Sequence, residues 1–120
     1  MIEIVIVASV TDAFQVLVNG LKSSPEVRIS WVKTSAAALE LASDSTPGLM
    51  IIADQMDDKS GLDLAREVIM VNAGINMAVL SDRPADEFHA ASEGLGILAQ
   101  LPTNPGTSEA ERLLDLIKKI

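Results

Sequence analysis

No cysteine occurs in the 120-residue chain, which excludes a disulfide framework and thiolate chemistry. Aromatic residues are almost as scarce, with two Phe, one Trp and no Tyr. Phe14, Trp31 and Phe88 are too few to build a base-stacking platform for single-stranded nucleic acid. Basic residues are outnumbered, 9 Lys and Arg against 17 Asp and Glu, for a formal net charge of −8. Such a field repels phosphate backbones and anionic headgroups, so neither nucleic acid nor a membrane surface is expected as a direct partner. No apolar run reaches the roughly 18 residues of a membrane-spanning helix. The opening MIEIVIVA carries Glu3 and lacks both a basic lead and a cleavage site, so it reads as a strand and not as a signal peptide. Cytoplasm is the default expectation. The one histidine, His89, has no nucleophile or orienting acid at a motif spacing and reads as an exposed helical residue.

What the sequence does hold is apolar material, 48% of residues, in a length that suits one domain over residues 1–120 with a single core. Strand-like and helix-like segments alternate throughout. Glu3 to Ala8 is apolar and β-branched, and Asp12 to Ser23 follows with Phe14, Leu17, Val18 and Leu21 at helical spacing. Ser9 with Asp12 suggests a capping box for that helix. Val27 to Val32 is a second strand, and Ser35 is the expected cap of the helix AAALELA. After Pro47-Gly48, Leu49 to Ala53 is a third strand. Ser60 and Asp63 pair as a cap for a helix from Gly61 to about Asn72, with Gly74 as its stop. Asn76 to Leu80 is a fourth strand, Ala85 to Glu93 a helix stopped by Gly94, and Ile97 to Leu101 a fifth strand. Ser108 and Glu111 would cap the last helix, with Leu113, Leu116, Ile117 and Ile120 facing inward.

Five βα units with nearly continuous apolar strands predict an α/β fold: a doubly wound, three-layer, five-stranded parallel sheet. Sites in such folds lie at the carboxyl ends of the strands. The residues there are Ala8 and Ser9, Ala53 and the acidic loop after it, Ser81, and Leu101 with Pro102. In that loop, Asp57 and Asp58 read as solvated carboxylates favoured near a helix N-terminus. Asp82 and Arg83 read as a local ion pair or cap, and Trp31 as packing at the sheet edge.

In order and spacing the chain resembles the receiver domain of bacterial response regulators, the CheY-like fold, with strand order 2-1-3-4-5. The resemblance rests on the five βα units, on PGLMIIADQMDDKSGLDL, on a hydroxyl at Ser81 ending the fourth strand, and on Leu101-Pro102 ending the fifth. The family carries an acidic pair after its first strand, a phosphoacceptor aspartate ending its third, a Ser or Thr after its fourth, and Lys-Pro after its fifth. On this sequence the acidic pair falls on Ala8 and Ser9, the phosphoacceptor on Ala53, the hydroxyl on Ser81, the lysine on Leu101 and the proline on Pro102. The aromatic switch position falls on Leu98, and the family's backbone-carbonyl metal contact on Gln55.

A carboxylate attacks a phosphoryl group only when its own charge is screened by Mg²⁺ and a cation. Ser81 and Pro102 alone cannot support that reaction. Asp54 is the one substitute phosphoacceptor, and it lies one step out of register, on the opposite face of a strand. The resemblance therefore implies a degenerate pseudo-receiver with no catalytic residues, no metal and no cofactor. It would be a non-enzymatic signalling module acting through protein partners, with the region Ala85 to Ile120 as a docking or homodimer face. The alternative is a small-molecule-binding regulatory domain using the crevice among Ser9, Ala53 and Ser81.

Overall fold

The computed structural model describes residues 2–95 and 97–118. Its elements run β1 (Ile2–Val7), α1 (Gln15–Lys22, entered through a 3-10 turn at Asp12–Phe14), β2 (Val27–Val32), α2 (Ser35–Asp44), β3 (Leu49–Ile52), α3 (Gly61–Val71), β4 (Met77–Leu80), α4 (Ala85–Ser92), β5 (Ile97–Leu101) and α5 (Thr107–Lys118). The five strands form one parallel sheet in the order β2-β1-β3-β4-β5. The three central strands are buried along almost their whole length, which is why they are written in Ile, Val, Leu and Met without alternation.

The chain steps from β1 outward to β2, then back past β1 to β3. Right-handed crossovers therefore put α1 on one face of the sheet and α2 on the other. The helix pairs agree, α1 packing on α5 and α2 on α3. The α1–α5 contact is close enough that a Cβ at Gly20 would lie 2.7 Å from the Ala110 Cβ. Phe14, Leu17, Val18 and Leu21 are all buried, as their spacing predicts. On α5, Ala110, Leu113 and Ile117 are buried while Leu116 is only partly so, and Ile120 lies outside the described residues.

The helix ends depart from expectation in instructive ways. Ser60 caps α3 as expected, its Oγ accepting from the Asp63 amide at 3.2 Å. Ser9 does not cap α1: its hydroxyl turns to the next connection and donates to the Lys33 carbonyl at 3.2 Å, and the helix entry is a Thr11–Phe14 backbone turn. Thr34, not Ser35, caps α2 by accepting from the Ala37 amide at 3.1 Å, because Ser35 is already buried in the first turn. The cap of α5 lies two residues earlier than expected. Glu109 Oε1 accepts from the Gly106 amide at 2.7 Å, the reach-back half of a capping box whose N-cap glycine has no side chain to complete it.

Helix α3 ends at Val71, and Asn72 does the work expected of Gly74. Its Nδ2 donates to the Ala42 and Ser45 carbonyls at 3.3 Å and to Thr46 Oγ1 at 2.8 Å, while its Oδ1 accepts from the Gly74 amide at 3.0 Å. Gly94 follows α4 with φ of +83°, the left-handed conformation that made glycine the expected stop.

Candidate functional site

The switch point of the sheet lies between β1 and β3, where successive crossovers leave in opposite directions. A pocket of about 440 Å³ opens there. The turn after β1 supplies Ser9, Val10, Ala13 and Phe14 to it. The loop after β3 supplies Ala53 to Asp57, β4 supplies Leu80, and the loop after β5 supplies Thr103.

Ala8 and Ala53 continue β1 and β3 by one residue each. The Ala8 amide donates to the Val32 carbonyl and the Ala53 amide to the Val7 carbonyl, both at 2.9 Å. Because Val7 pairs with Ile52, the two alanines follow at adjacent register positions. Both are buried, and their methyl groups carry no chemistry.

The loop that follows is tightly tied. The Gly61 amide donates to the Asp54 carbonyl at 2.9 Å, Gln55 and Ser60 form an isolated bridge, and the Met56 amide donates to the Lys59 carbonyl at 2.8 Å. This closure brings the Gly61 backbone against the Ala53 carbonyl oxygen, into space that a Cβ would occupy. Gly61 is thus required here by close approach. Asp54 is exposed at the pocket rim.

Asp57 Oδ1 reaches the start of α2, 3.5 Å from both the amide nitrogen and the hydroxyl of Ser35. The Ser35 hydroxyl, with Lys59 as a lesser influence, holds the Asp58 carboxyl below its ordinary value. Lys59 pairs with Glu67 and, at 3.6 Å, with Asp58. The Glu67 carboxylate in particular holds the Lys59 ammonium above its ordinary value. This lysine is therefore spent on the loop and does not line the pocket.

Ser81, Leu101 and Pro102 do not line the pocket. The Ser81 hydroxyl accepts from the Arg83 amide at 3.2 Å, the geometry of a helix-entry turn. Its amide donates to the Leu101 carbonyl at 2.8 Å. Leu101 is fully buried, and Pro102 is exposed. The crevice foreseen among Ser9, Ala53 and Ser81 is consequently closed on its far side by Leu80 and Thr103 instead. Met56, Phe14 and Thr103 are contributors that strand-end reasoning does not reach, since loop folding alone carries them there.

Behind Ser81 runs a chain of hydrogen bonds. Gln100 Nε2 donates to the Arg83 carbonyl at 2.8 Å and to the Ser81 carbonyl at 3.3 Å, and Arg112 donates to the Gln100 carbonyl at 2.8 Å. Arg66 meanwhile pairs with Asp63 and donates to the Ala91 carbonyl at 2.9 Å, tying α3 to the end of α4. Among the described residues, no group of three or more His, Cys, Asp or Glu is placed to hold a metal ion, and no helix is long and apolar enough to cross a membrane.

A two-component response regulator from Legionella pneumophila superposes with a TM-score of 0.81 over 100% of both chains, at 18% identity. The fold is that of a response-regulator receiver domain. A CheY-like receiver domain protein from Methanospirillum hungatei JF-1 gives a TM-score of 0.81 at 14% identity, covering 99% of this chain and 95% of that one. The signal receiver domain of an HD domain-containing protein from Pseudomonas fluorescens Pf-5 also gives 0.81, at 20% identity, covering 98% and 87%. No family model and no curated protein matches the sequence. These three structures share the fold at 14–20% identity.

Proposed function

We propose that residues 1–120 form one receiver-like signalling domain, a cytoplasmic pseudo-receiver that acts through protein–protein contacts and independently of aspartyl phosphorylation. One observation carries this reading: buried alanines, Ala8 and Ala53, stand side by side where β1 and β3 deliver their ends to the crevice. A phosphoryl-accepting site needs a carboxylate there, a cation cage beside it and a lysine opposite. Leu101 is buried and apolar at the lysine's position, and Lys59 is engaged by Glu67 and Asp58. Asp54, the one substitute acid, is exposed at the rim without a second carboxylate from β1 to share an ion. The joint absence of nucleophile, metal cage and lysine is what separates this from a shifted active site, and it leaves an interaction module with no enzymatic step of its own.

The docking face in this reading is the surface of α4, β5 and α5, within residues 85–120, which also serves for a homodimer. The Arg112–Gln100–Ser81 chain of hydrogen bonds supports a single resting arrangement of that face. The test is an amide NMR spectrum of the whole chain before and after acetyl phosphate and Mg²⁺. No shift is expected from Ala85 onward, and a coherent shift of that face would defeat the reading. A second reading, a small-molecule-binding regulatory domain, is favoured by the pocket of about 440 Å³ that occupies the switch point.

A further inference from the structure

We propose that the switch-point pocket binds a small organic cation with an apolar body, of the alkyl- or arylammonium class. The inference deepens the second reading above, that the crevice takes a ligand, and does not depend on whether the chain is phosphorylated.

Size is the first argument. A volume of about 440 Å³ falls within the range of small-molecule sites, roughly 300–1,000 Å³. The second is the character of the walls. Phe14, Ala53, Met56 and Leu80 are buried core residues, and they form an apolar floor. A wholly polar ligand would desolvate against that floor without compensation.

The third argument is charge. The ionisable residues lining the pocket are Asp54 and Asp57, and no Lys, Arg or His lines it. Among the described residues, no hydrogen bond or ion pair engages the Asp54 carboxylate, whereas Asp57 leans on Ser35. The one cation in the loop, Lys59, is turned to Glu67 and Asp58. An organic anion would therefore meet carboxylates of its own sign with no counter-charge. A bare divalent cation fares no better, for among the described residues no three ligating side chains converge. An ammonium group at the rim beside Asp54, with its hydrocarbon on the floor, satisfies both features at once. Ser9 and Thr103 also line the pocket. The ligand would bridge the loops after β1, β3 and β5.

The experiment is an amide NMR titration of the full chain with n-hexylammonium, hexanoate, 1-hexanol and Mg²⁺, each alone at matched ionic strength. Hexylammonium should give saturable shifts at Ser9, Ala53, Asp54 and Thr103, with hexanoate weaker by about tenfold or more. Asp54→Asn, an exposed substitution, should weaken hexylammonium about two- to fivefold, the usual worth of an exposed ion pair, and leave hexanol unchanged. Four results would overturn the proposal. The first is hexanoate matching hexylammonium at the same amides, and the second is hexylammonium shifts that spread without saturation over the acidic surface. The third is binding indifferent to Asp54→Asn, and the fourth is Mg²⁺ alone saturating the same amides. Silence from all four probes would also refute it. Phosphorylation of the chain, by contrast, would sink the pseudo-receiver reading and leave this one standing.

Discussion

Ala8 and Ala53 are buried neighbours at the ends of β1 and β3, so a carboxylate at either would lose water and sit beside the other. Ser9 is exposed, and an acid there is cheap. Restoring the receiver's acids as Ala8→Asp, Ser9→Asp and Ala53→Asp together should lower stability without Mg²⁺ by several kcal/mol, about the usual cost of burying unpaired charge. Added Mg²⁺ should recover part of that loss, because an ion bound only by the folded state stabilises it. Urea denaturation with and without Mg²⁺ measures both effects. An unchanged midpoint in both conditions would mean that the three positions do not meet. At this scale the sequence is legible where a strand end fixes a residue: the switch-point rule places Ser9 and Ala53 at the crevice. It is illegible where a loop decides. Met56 and Thr103 reach the pocket, and Ser81 turns away to cap Arg83, through backbone paths that no periodicity encodes.

Elements follow from pattern, and their caps do not. The apolar runs place all five strands within a residue or two, and β2 and β5 match the expected bounds at both ends. In the sequence, helix ends are marked by Ser, Asp, Glu and Gly near each start and stop. Several such residues compete at each end, and tertiary neighbours choose among them. Ser9 is drawn to Lys33, Ser35 toward Asp57, and Asn72 replaces Gly74 because it can bond across to α2. The cap of α5 gives a prediction in pH. The Ser108 hydroxyl first, and then the Gly106 amide, hold the Glu109 carboxyl below its ordinary value of 4.5. A folded-state value lowered in this way contributes stability above the unfolded value, which is lost as pH falls through the folded one. Glu109→Ala should cost about 0.3–1.5 kcal/mol at neutral pH, the worth of one capping element. The gap between variant and parent in urea midpoint should shrink as the pH is taken below the ordinary carboxylate range. A gap that persists there would assign the loss to packing and not to the carboxylate.

The whole molecule has a receiver's architecture. The sheet order, the switch-point crevice and the glycine that lets α3 close against Ala53 are all present. The crevice is apolar on its floor and acidic at its rim. The most direct test of this account is the intact mass of the chain after incubation with acetyl phosphate and Mg²⁺. The predicted result is an unchanged mass. The gain of one phosphoryl group, abolished by Asp54→Asn, would contradict it and show that the acid beside Ala53 has taken over the reaction.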